Sequence, residues 1–137
     1  MYNFIFCFVY LGRLKKDGKG VAIYTAKLAV TIAIVMHVAL LYSVLRLALC
    51  YYWNISIARS NVHATSSDRL LYFLIGLSIF LVTNSYYNKQ RIEKVSGVYD
   101  SSNDLLSFKN ILKFISLFVI PLLLGIYFVN KSVGYCY

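Results

Sequence analysis

Hydrophobic residues along the chain fall into three long blocks. Residues 28–45 read LAVTIAIVMHVALLYSVL, eighteen positions without a charge, held between Lys27 and Arg46. At about 1.5 Å of rise per residue, a helix from Lys27 to Arg46 covers roughly 28 Å, close to the hydrocarbon thickness of a bilayer. The same ruler gives about 30 Å from Arg69 to Lys89 and about 27 Å from Lys113 to Lys131, each around a nearly pure apolar run. A soluble core gives no reason for three cation-bracketed blocks of one length. The pattern predicts an all-α integral membrane protein, with three transmembrane helices over residues 28–46, 69–88 and 111–130. All of residues 1–137 then form a single three-helix membrane domain.

The first fourteen residues follow a different pattern. MYNFIFCFVYL is apolar, with aromatic rings at positions 2, 4, 6, 8 and 10, and the basic run Arg13-Leu14-Lys15-Lys16 comes after it. A secretory signal has its positive charge first. A lone strand on a membrane would leave backbone groups unpaired. The expectation is a short N-terminal interfacial helix over residues 1–14, rings at headgroup depth, with packing against the bundle as the alternative. Asp17-Gly18-Lys19-Gly20 reads as a turn. Residues 88–95 are expected to continue the second helix beyond the bilayer until Ser96-Gly97 ends it.

Composition sharpens this picture without changing it. Hydrophobic residues make up 60% of the chain and charged ones 14%, outside the ordinary soluble balance. A net charge of +9 in a soluble chain would suggest nucleic acid, but here the cations flank the spans, so the expected partner is the bilayer, with anionic lipids on the inner side, and not nucleic acid. Ten Lys and Arg lie before the first span or between the second and third, against four on the opposite side. The bias predicts a multi-pass protein with the N-terminus cytoplasmic and the C-terminus periplasmic or extracellular.

Candidate chemistry is sparse. His37 falls near the middle of the first span, on one helical face with Ala22, Ala26, Ala29 and Ala33. An ionisable group there is either functional, as in a ring of histidines that gates ions, or a neutral imidazole bonded to protein. Pro121, near the middle of the third span, should kink it, and Gly125 follows one turn later. Asn84 lies on a polar face of the second span and suits packing or a polar path. Lys27, Arg46, Trp53, Arg69, Lys89, Lys113 and Lys131 are expected interface anchors. Cys50 and Cys136 lie just beyond outer helix ends, so a disulfide between them is possible if that side is oxidising.

All five acidic residues lie outside the spans, and no carboxylate pair, metal-ligand spacing or phosphate loop is visible. No cofactor, metal or enzymatic activity is therefore expected. The sequence reads as a small membrane protein acting by helix association, as a homo-oligomer or as an accessory subunit beside another membrane protein. The alternative is a pore-forming or permeability-altering protein of the holin or membrane-effector kind.

Overall fold

The computed structural model describes residues 1–53, 66–100 and 107–135. They form four helices in chain order: α1 (Tyr2–Trp53), α2 (Ser66–Tyr86), α3 (Lys89–Asp100) and α4 (Phe108–Tyr135). Among the described residues there is no strand.

One residue divides α1. Gly18 has φ 77° and ψ 165°, a backbone region that side-chain-bearing residues avoid. Residues 2–17 fold back there along the first half of the long arm, residues 19–53, and the ring of Tyr2 comes to 6.0 Å from that of His37, edge-on. The turn expected around Asp17 and Gly18 is thus a full reversal between two helical arms. Just before it, Arg13 and Asp17 form an exposed ion pair of 2.9 Å, one turn apart.

Residues 1–14, expected either at the membrane interface or packed against the bundle, pack against the bundle. Ile5, Phe6 and Cys7 are completely buried, and Phe4 and Tyr10 nearly so. They share one apolar core with Ala22, Ala26, Val30 and Ala33 of the long arm. Phe6 stacks on Tyr87 at 4.3 Å, and Phe8 stacks on Phe114 of α4 at 4.5 Å. An interfacial helix needs a polar face for water. Residues 2–11 are apolar on every side except Asn3, and a helix apolar all round is buried.

Among the described residues, two helices are long and apolar enough to cross a membrane, Lys16–Leu49 within α1 and Phe108–Lys131 within α4, each with a mean hydropathy of 2.3. Their most apolar stretches are only 22% and 6% buried within the protein, whereas the core helix of a soluble protein would be mostly buried. Among the described residues, α2 carries a shorter apolar stretch, Phe73–Tyr86. The second helix also ends sooner than expected. Asn88 Oδ1 accepts the backbone N–H of Arg91 at 2.9 Å and so caps a new helix, α3, which runs past Ser96 and Gly97 to Asp100.

Candidate functional site

The reversal at Gly18 splits the molecule into two halves. At the Gly18 end, the N-terminal arm fills the space between the long arm, α3 and the start of α4. Alanines at 22, 26 and 33 remove side-chain bulk from the long arm there, so the aromatic arm can lie close to its backbone. Cys7 Sγ lies 3.5 Å from the carbonyl of Val95, and burial pushes its thiol up to about 12, away from the reactive thiolate. Tyr87, 1% exposed, closes this core and donates from its hydroxyl to Asn3 Oδ1 at 3.0 Å.

Two of the singled-out residues meet at this end. Lys27 Nζ donates to Asn84 Oδ1 at 2.7 Å and to the Asn84 carbonyl at 3.3 Å. Lys27 thereby satisfies an orphan carbonyl in the last turn of α2, where a cation also suits the helix dipole. Asn84 is thus an acceptor for Lys27, which accounts for its polarity without a polar path. Lys113 Nζ lies 4.9 Å over the ring of Phe4, so this second cation holds the arm from the α4 side. Lys89 is exposed beside Lys19 and Glu93.

His37 stands where the arm stops. Its Nδ1 lies 2.5 Å from the carbonyl of Ala33, and since a carbonyl only accepts, Nδ1 carries the proton. Beyond His37 the arm no longer separates α1 from α4. A cavity of about 390 Å³ opens between them, lined by Met36, Ala39, Leu40, Ser43, Pro121 and Gly125 with their neighbours on α4. Pro121 is buried against this face, and α4 continues as helix through it. The cavity is mostly apolar: of its two polar side chains, Asn130 and Ser43, Ser43 donates to the carbonyl of Ala39 at 2.8 Å, within its own helix. Thr31 and Thr83, also buried, bond back to Lys27 and Ile79 in the same way.

The remaining anchors are at the far end. Arg46 is half-buried, and its Nε has no hydrogen-bond partner among the described residues. Lys131 Nζ donates to the Tyr127 hydroxyl at 3.2 Å and lies 5.5 Å over the same ring. Cys136 lies outside the described residues, as do the side chains of Cys50, Trp53 and Arg69. Among the described residues, no three His, Cys, Asp or Glu side chains come together as a metal site.

Sequence reasoning placed Tyr87 on a packing face of the second span with Tyr72, Gly76, Thr83 and Asn84, but missed the burial of Cys7 and the pairing of Arg91 with Tyr86. The first had a usable signal in the unbroken apolar character of residues 2–11. The second depends on the break at Asn88, which only a recognised N-cap would reveal. No protein-family model matches the chain, and no curated protein or solved structure does.

Proposed function

We propose that this chain is a small, non-enzymatic, multi-pass membrane protein that works by helix association, as a homo-oligomer or as an accessory subunit of a membrane complex. The open cavity between α1 and α4 carries the reading. In the half nearest Gly18, the chain supplies its own fourth helical segment to fill the bundle. In the other half the described residues supply none, and Ala39, Ser43 and Gly125 leave room for a helix backbone to approach.

In this reading α2 makes the third crossing. Its 21 residues span about 31 Å as a helix, enough for the hydrocarbon layer. The cation bias of ten to four puts the Gly18 reversal inside and the C-terminus outside. From the reversal the arm of residues 2–17 reaches back into the bilayer, so that Tyr2 lies at the level of His37, near its middle. A pore has less support, since the His37 ring lies against Tyr2 and the buried hydroxyls bond within their own helices.

Cysteine crosslinking in native membranes tests the association. In a chain whose own cysteines are replaced by serine, Gly125→Cys should give crosslinked species larger than one chain, and Phe73→Cys, on the exposed side of α2, should give far fewer. Equal yields from both positions, or none from Gly125→Cys, would refute docking at this cavity. Rapid loss of membrane potential on modest expression would favour the pore instead.

A further inference from the structure

The junction of α2 and α3 carries a cationic pocket that the association reading does not use. A recess of about 420 Å³ opens there, lined by Ser85, Tyr86, Asn88, Gln90, Arg91 and Lys94. Two cations, hydroxyls and amides face it, and no carboxylate does. Glu93 lines a different recess, with Lys19 and Lys89.

Arg91 is held in place rather than waving in solvent. Its Nη2 donates to the Tyr86 hydroxyl, and its guanidinium carbon lies 4.6 Å over the Tyr86 ring. Tyr86 meets the buried Tyr87 edge-on at 5.1 Å, which ties the guanidinium to the core. The Nε of Arg91 is buried and has no hydrogen-bond partner among the described residues. A guanidinium has five N–H donors in a rigid fork matched to phosphate oxygens, so Tyr86 leaves most of its capacity unused.

We propose that this pocket binds the phosphate of an anionic phospholipid, with Arg91 as the fork and Lys94 as the second charge. The inference rests on the membrane reading above and adds a ligand to it. The pocket begins one residue after Asn84, the acceptor of Lys27, and so lies at the level of the cation that brackets the first span. Leu81 and Val82, exposed on the last turns of α2, offer apolar surface for acyl chains beside it.

Native mass spectrometry of the full chain, extracted from membranes and supplied with equal amounts of phosphatidylglycerol and phosphatidylcholine, tests the site. The wild type should retain phosphatidylglycerol in preference. Arg91→Gln should lower that retention about five-fold, the effect of one basic residue at an anionic surface. Lys94→Gln should lower it in the same direction, and it keeps the test valid if the Arg91 variant fails to fold. Arg13→Gln, which removes a cation already paired with Asp17, should leave retention unchanged. Equal losses from Arg91→Gln and Arg13→Gln, or no preference in the wild type, would overturn the site. Full displacement of phosphatidylglycerol by inorganic phosphate would assign the pocket to free phosphate and overturn the lipid. Failure of the membrane reading itself would show separately, as release of the chain from membranes by an alkaline wash.

Discussion

The two halves of the long arm of α1 have much the same apolar composition and opposite surroundings. Toward Gly18 its small face is sealed by a segment of its own chain, through stacked rings and two cations held by the core. Toward the far end the corresponding space lies open between Met36–Ser43 and Pro121–Gly125. Hydrophobicity alone does not say whether protein or lipid covers a surface in a bilayer, because the tails are as apolar as leucine. Shape decides. Alanines admit a neighbouring backbone, and the half that found one became core.

This contrast can be broken most sharply at the stacked rings. Phe6→Ala removes a fully buried ring that lies 4.3 Å from Tyr87, and should cost about 3–5 kcal/mol. Leu123→Ala, at a position 60% exposed on α4, should stay within about 0.5 kcal/mol of the wild type. Thermal unfolding in detergent measures both, and comparable losses would mean that the arm is not core.

The reversal gives the next effect. A Cβ at Gly18 meets no atom within 4 Å, so Gly18→Ala acts through the backbone alone and should cost about 1–3 kcal/mol. The readout is alkylation of Cys7 in a chain with Cys50 and Cys136 changed to serine. With its thiol pushed up to about 12, Cys7 should stay unreactive as pH rises through the ordinary thiol range, and Gly18→Ala should speed its labelling. An unchanged rate would show that Gly18 does not hold the arm in place.

A smaller effect separates the faces of the long arm. Ala33→Leu overfills a fully buried position and should destabilise by about 1–3 kcal/mol, whereas Ile32→Leu, 47% exposed next to it, should change stability by less than about 0.5 kcal/mol. Because the alanine face is covered from within the chain, Ala33→Leu should also expose Cys7 to alkylation. Loss of crosslinking at Gly125→Cys with Cys7 still protected would return the alanine face to contacts between chains.

What was legible in the sequence follows from what is local. The helical blocks, the alanine face and the break near Gly18 are visible because periodicity, side-chain volume and glycine act over a few residues. The sequence leaves both an interfacial position and packing against the bundle open for residues 1–14, because the choice rests on a non-local fact: nothing in MYNFIFCFVYL says that Tyr87, Val95 and Phe114 come together to receive it. The same holds for Lys27 and Asn84. Each was weighed alone, as an anchor and as a packing residue, and only the register of α1 against α2 joins them.

The reversal at Gly18 also fixes an order of events in time. The arm's partners at Tyr87, Val95 and Phe114 are made long after the arm itself, roughly 100 residues later, or about 5–20 s at ~5–20 residues per second. Through that interval Phe4, Phe6 and Phe8 have only the alanine face of their own helix to rest on. The arm is synthesised before its partners and fully enclosed only after them, so release from the insertion machinery before α4 is complete would leave these rings without their final partners.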